Sequence, residues 1–200
     1  MEQWRMNEVL GAFSAQEAVA VVLALVYIAL VQRQNSWCWL AALVSETMFI
    51  GLCLRAQLFA ETFLHVFYWF MAIYGWWSWR QPRHAVQIHT WPWHRHLVVC
   101  LSGGLLVLFL GHQLALRTSA ALPYLDSFTT VFSLITTYMV ARKVLENWLY
   151  WIVVDLASAY LYANRALYLT AILNLIFTVI VVFGFMEWRR VWKTEHESIV

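Results

Sequence analysis

Tyr74-Gly75-Trp76-Trp77-Ser78-Trp79-Arg80 and Phe183-Gly184-Phe185-Met186-Glu187-Trp188-Arg189 each close an apolar run with the same Gly-x-x-x-Trp-Arg signature. The two stand 109 residues apart, and the same offset, without a gap, pairs Arg33 with Arg142, Trp39 with Trp148, Leu40 with Leu149 and Leu58 with Leu167. Coincident leucines are cheap in an apolar composition; coincident Gly, Trp and Arg are not. A block of three apolar segments is therefore present twice.

Outward from these two stretches, seven apolar segments separate at charged or polar breaks: about Ala15–Val31, Trp37–Leu54, Phe59–Trp79, Leu97–Leu116, Leu122–Val140, Leu145–Ala163 and Ala166–Trp188. Each approaches the ~20 apolar residues that a bilayer span needs. A chain of 200 residues that is 62% hydrophobic and 12% charged leaves no room for a separate soluble catalytic domain. The apolar content excludes disorder, and a net charge of +2 with no basic stripe excludes a nucleic-acid partner. Helices are required because a spanning segment satisfies its own backbone hydrogen bonds, and these runs lack the alternation of barrel strands.

The fold class expected is thus all-α integral membrane protein, one transmembrane transporter domain over 1–200, in a three-plus-one-plus-three arrangement. Repeat one covers about 15–80, a linker helix about 97–116 and repeat two about 122–190. Because three is odd, the linker helix returns the chain so that both repeats run in the same direction. Parallel repeats of this kind occur in secondary transporters, with the substrate near mid-bilayer at the repeat interface.

Alternation of the connections puts Arg5, Arg55, Arg117 and Arg165 on one side and Arg33, Arg80, Arg83, Arg95, Arg142, Lys143, Arg189, Arg190 and Lys193 on the other. The positive-inside rule then places the amino terminus outside and the carboxyl terminus in the cytoplasm. The first fifteen residues, with Glu2, Arg5 and Glu8, lack the pattern of a cleavable signal, so the first segment is expected to stay in the membrane. Cys38, Cys53 and Cys100 fall in apolar segments without metal-ligand spacing and receive no function. The connection Arg80–His96 carries His84, His89, His94 and His96 without an accompanying cysteine or carboxylate, so it is read as a surface loop against lipid headgroups, anchored by Trp91 and Trp93. His65 and His112 have no facing partner that would make them haem ligands. No phosphate-binding loop, Gly-x-Ser-x-Gly or His-Glu-x-x-His occurs, so neither an enzyme activity nor a cofactor is expected.

The residues that could carry chemistry come from the same register. It aligns Glu46 with Asp155, both deep in apolar segments, where a charge is expensive and by default faces the bundle interior or a watery cavity. The alternative is a carboxylate that merely stitches helices through a neighbouring hydroxyl or amide. Asn147, Trp151 and Asp155 recur every four residues and share a helix face, flanked by Trp148. His65 and Trp69 with Tyr68 form a comparable face in the first repeat, and the register sets His65 opposite Asn174 and Tyr68 opposite Phe177. Glu46, His65, Tyr68, Trp69, Asn147, Trp148, Trp151, Asp155, Asn174 and Phe177 are expected to line one substrate site. Trp37, Trp76, Trp79, Trp188 and Trp192 are assigned to an interface belt. Aromatic faces beside buried carboxylates suit a flat, cationic or heteroaromatic molecule, since a desolvated cation gains about 2 kcal/mol per good aromatic contact. An inorganic ion path would instead show rings of carbonyls or charges.

Three stretches carry a family resemblance: Tyr74-Gly75-Trp76-Trp77-Ser78-Trp79, the run from Ala141 through Glu146-Asn147-Trp148-Leu149-Tyr150-Trp151 to Asp155, and Leu167-Tyr168-Leu169-Thr170-Ala171. The chain resembles, over essentially its whole length, the PnuC family of vitamin transporters, which includes nicotinamide riboside carriers and their thiamine-transporting relatives. The resemblance implies a fold like that of the SWEET sugar transporters, a homotrimer in a bacterial inner membrane, and facilitated diffusion with cytoplasmic phosphorylation by a kinase trapping the vitamin. Its members divide among nicotinamide riboside, thiamine, riboflavin and deoxynucleosides. Asp155 stands where some members have an asparagine, which suits a cationic vitamin, and nicotinamide riboside is the substrate expected, with thiamine as the alternative. A proton-coupled carrier in which Glu46 and Asp155 exchange protons is the competing mechanism.

Overall fold

The computed structural model describes residues 15–55, 59–81, 87–118 and 121–197. Glu2, Arg5, Glu8, Arg83 and His84 lie outside the described residues. Among the described residues there are seven helices: α1 (Ala15–Gln32), α2 (Cys38–Arg55), α3 (Phe59–Arg80), α4 (Trp93–Arg117), α5 (Pro123–Ala141), α6 (Asn147–Asn164) and α7 (Tyr168–Glu197). Of these, α2, α4 and the stretch Thr170–Glu195 of α7 are long and apolar enough to cross a membrane by length and composition alone. Val19–Gln32 of α1 is apolar over a shorter length, and α5 is diluted by side chains that still suit a bilayer. In α5, Thr129, Thr136 and Thr137 return their hydroxyl protons to Asp126, Phe132 and Ser133 carbonyls of their own helix, which removes the cost of burying them.

The chain divides into two compact units, Met1–Pro82 and Arg83–Val200. In the first, α2 packs on both α1 and α3; in the second, α4 packs on α5, α5 on α6 and α6 on α7. Helix α2 thus lies between α1 and α3, and α6 between α5 and α7. Large apolar side chains point outward, among them Leu101, Leu105, Leu108 and Phe109 of α4 and Ile172, Ile176, Val179 and Phe183 of α7. Such faces are surfaces for lipid. With no hydrophobic drive between helices in a bilayer, close backbone approach at small residues holds the bundle.

That approach is made by tryptophan on glycine, once in each unit. A Cβ built on Gly75 of α3 would lie 2.3 Å from the Trp39 ring of α2, and one on Gly184 of α7 would lie 2.5 Å from the Trp148 ring of α6. Each buried indole then meets the next tryptophan edge-on: Trp39 and Trp79 at 5.4 Å and 87°, Trp148 and Trp188 at 5.3 Å and 86°. Three pairs of residues that the 109-residue offset matches therefore make the same contacts in both units. Trp188, expected in an interface belt, is instead fully buried. Its belt-like position in the sequence reflects where α7 passes α6, since the glycine four residues earlier opens the space the two indoles fill. On α4, Gly103 and Gly111 admit Phe132 and Tyr124 of α5 in the same way, whereas Gly104 faces open space.

The connections repeat as well. After α1, Gln34 donates to the Val31 carbonyl (2.9 Å) and Asn35 to Leu30 (3.0 Å); after α5, Lys143 donates to Val140 (2.9 Å) and Val144 to Met139 (3.0 Å). These are paired helix-ending bonds with a left-handed residue at the turn, φ 53° at Gln34 and 52° at Lys143. Ala166, at φ 58°, ends α6 by the same device, through Ala166 to Ala163 (3.1 Å) and Leu167 to Tyr162 (2.9 Å). Glycine usually fills that position, so the sequence carried no mark of it.

Two expectations are refined. Within the segment read as a loop against headgroups, residues 87–91 are tied to the protein: His89 donates to the Lys143 carbonyl at 3.2 Å, Leu145 donates back to His89 at 2.8 Å, and Ile88 is buried. A short parallel bridge therefore sews residues 87–91 to the α5–α6 turn. Helix α7 runs on to Glu197, past the expected end at Trp188. The apolar run marks the membrane border, while Arg190, Lys193 and the Arg190–Glu187 pair at 2.7 Å are sound helix-formers beyond it.

The glycine contacts make the first prediction. Gly184→Ala forces a ring or a helix to move and lowers the thermal midpoint in detergent by the equivalent of about 1–3 kcal/mol, as overpacking does. Gly104→Ala has nothing to strike and stabilises α4 by up to about 1 kcal/mol through helix propensity. Equal midpoints for the two variants would contradict the packing.

Candidate functional site

Each middle helix carries one carboxylate, Glu46 on α2 and Asp155 on α6, and the two are treated differently by their surroundings. Glu46 Oε2 lies 2.6 Å from Nδ1 of His65, one helix over on α3, with the side chains 17% and 21% exposed. The imidazole stacks on Phe49 at 4.9 Å and 12°, and Tyr68 approaches it edge-on at 6.3 Å and 74°. Phe49 stands three residues after Glu46 and Tyr68 three after His65, so adjacent helix turns supply both walls. One turn along, the Trp69 indole N–H donates to Thr47 Oγ1 at 3.1 Å, and Thr47 donates to the Leu43 carbonyl at 2.7 Å. Glu46, His65 and Tyr68 are thus brought together as expected, with Trp69 beside them. Phe49 and Thr47 were not foreseen, because an apolar residue and a threonine on a membrane helix carry no signal until the facing helix is placed.

On α6, Asn147, Trp151 and Asp155 form the line that their spacing predicts. Asn147 is fully buried; its Nδ2 donates to the Val144 carbonyl at 2.6 Å, while its Oδ1 is sealed from solvent without a hydrogen-bond partner. Asp155 is 6% exposed, and its Oδ2 is likewise buried without a partner among the described residues. Buried acceptors are nearly always satisfied, so two on one helix face are unusual. Trp151 lies between them, half-buried, against Val107, Val131, Phe132 and Val154. Trp148 is 3% exposed under Gly184 and Trp188. On α7, Asn174 Nδ2 donates to the Thr170 carbonyl at 2.8 Å and Thr178 donates to that of Asn174 at 3.0 Å, with Phe177 half-buried between.

A second polar group, outside the expected set, stands at the start of α4 and α6. His96 Nδ1 lies 3.0 Å from the Tyr150 hydroxyl and Nε2 3.9 Å from Glu146, whose other oxygen accepts the Trp91 amide at 3.3 Å. These contacts hold the bridge of residues 87–91 in place. Among the described residues, no three His, Cys, Asp or Glu side chains converge as a metal site would require.

The fold has a counterpart in the crystal structure of the vitamin B3 transporter PnuC, with a TM-score of 0.72 at 21% identity over 95% of this chain and 87% of that one. The chain is 26% identical to the nicotinamide riboside transporter PnuC of Escherichia coli (strain K12), over 86% of this chain and 84% of the relative. It is 22% identical to the riboflavin/roseoflavin transporter RibM of Streptomyces davaonensis, over 86% and 83% respectively. The family model described as nicotinamide mononucleotide transporter matches residues 14–190, which carry both carboxylates and both tryptophan–glycine contacts. The chain belongs to this family of membrane-spanning transporters.

Proposed function

We propose that this protein is a bacterial inner-membrane uniporter for a cationic vitamin, with nicotinamide riboside as its substrate. The carrying observation is the buried Asp155 Oδ2, without a partner among the described residues, one turn from Trp151 on α6. A membrane protein that keeps such a group without a partner keeps it for something that visits. A pyridinium cation satisfies the charge, and an aromatic face adds to it. The name of the relative in Escherichia coli supports the riboside reading; the neutral flavin named for RibM would gain little from a carboxylate at this place.

Asp155 offsets the substrate charge, Trp69 and Trp151 stack on the ring, and Asn147, Asn174 and His65 with Tyr68 and Phe177 supply polar and aromatic walls. Trp148 acts from behind, fixing α6 on α7. The matched turns and Trp–Gly contacts support a three-plus-one-plus-three, SWEET-like arrangement of parallel repeats that rock around the solute. A homotrimer, an amino terminus outside, a carboxyl terminus in the cytoplasm, and trapping by a cytoplasmic kinase complete the reading.

Two outcomes are expected in proteoliposomes. Trp151→Ala and Asp155→Asn each raise the Kd for nicotinamide riboside about tenfold, the loss of a contact worth about 1–2 kcal/mol, while the protein still elutes as a single species; unchanged affinity in both removes the site. Uptake down a riboside gradient is indifferent to collapse of the pH gradient. A fall in uptake on collapse would establish the proton-coupled alternative in its place.

A further inference from the structure

The two carboxylates that the repeat places at equivalent positions have different tasks. Glu46 is already engaged. A carboxylate only accepts, so at 2.6 Å the proton of the contact belongs to His65 Nδ1. In the neutral imidazole this leaves Nε2 as an acceptor. Phe49 covers one ring face at 4.9 Å, Tyr68 meets an edge at 6.3 Å, and Glu46 fixes the rotation. Among the described residues Nε2 has no partner. A ring held on three sides in a membrane helix, with one polar atom left over, is built to present that atom.

We infer that His65 Nε2 accepts a hydrogen bond from the carboxamide N–H of the substrate and that Glu46 is the positioning residue for His65, acting through the ring and making no contact with the solute. The choice of donor follows from the stacking. The imidazole lies within 12° of the Phe49 plane and offers Nε2 in that plane. The carboxamide is the donor that lies close to the plane of the pyridinium ring, so a solute stacked on aromatic walls meets Nε2 edge to edge. The pairing also separates the two carboxylates by role: Glu46 takes a hydrogen bond from its own histidine, and Asp155 is left for the cation. The inference rests on the riboside reading above.

The test is a double-mutant cycle on uptake by the full-length protein in liposomes. His65→Phe keeps an aromatic ring and loses the acceptor, so KM for nicotinamide riboside rises about tenfold with kcat little altered, the scale of one buried hydrogen bond. Glu46→Ala does the same, and adding it to His65→Phe costs nothing more, because its effect passes through the ring. Glu46→Gln still offers Nδ1 an acceptor and raises KM by no more than about threefold, the rescue that a positioning role requires. Nicotinic acid riboside, with a carboxylate in place of the carboxamide, is taken up poorly by the unaltered protein, and His65→Phe narrows that discrimination. If Glu46→Gln is as damaging as Glu46→Ala and the cost persists in the His65→Phe background, Glu46 is a counter-ion and the inference is overturned. His65→Leu, which likewise lacks the acceptor, replaces His65→Phe should the latter not fold. No riboside uptake by the unaltered protein would overturn the substrate reading and this inference with it; normal uptake with additive variants overturns the inference alone.

Discussion

A tryptophan seated on a glycine is the contact on which the rest depends. In a bilayer, apolar side chains gain nothing by leaving lipid for one another, so helices associate where backbones can come close and surfaces interlock. Trp39 fills the space at Gly75 and Trp148 the space at Gly184, and each is closed by an edge-on indole, Trp79 or Trp188. A T-shaped aromatic pair contributes about 1 kcal/mol beyond its buried area. The larger effect is geometric, because the rotation of the middle helix against its neighbour is set by this contact, and the rotation decides which residues of α2 and α6 turn inward.

Once α2 is fixed on α3, Glu46 comes to His65; once α6 is fixed on α7, Asn147, Trp151 and Asp155 hold one line. The two units repeat the scaffold but not the chemistry laid on it. Glu46 has a histidine and a phenylalanine around it, whereas Asp155 has a sealed oxygen with no partner. His65 gives the Glu46 carboxylate a hydrogen-bond donor inside the protein, which Asp155 Oδ2 lacks among the described residues.

Much of this was legible from residues alone, and the limits have physical reasons. Continuous apolar runs gave the helices, and the rarity of Gly, Trp and Arg gave the repeat, which reappears in the hydrogen bonds of the turns after Gln32 and Ala141. Helix ends were misplaced where the membrane border and the helix end differ, as at Trp188. The left-handed turns at Gln34, Lys143 and Ala166 were invisible because none is glycine. The bridge from His89 to the α5–α6 turn depends on backbone groups, which every residue has. Asp155 stood out because a charge in an apolar run always does. Its contrast with Glu46 could not be read, since the contact with His65 depends on how α3 is rotated against α2. The packing of Trp148 was within reach: the offset that aligned it with Trp39 also aligned Gly184 with Gly75.

The central claim is that this scaffold holds a site for a cationic heteroaromatic solute bearing a carboxamide. It is tested most directly by titrating the purified protein with nicotinamide riboside and, separately, with thiamine, while following quenching of its thirteen tryptophans. Saturable quenching by the riboside is expected at concentrations where thiamine leaves the fluorescence unchanged. Saturation by thiamine alone would contradict it, and the riboside assignment would be withdrawn.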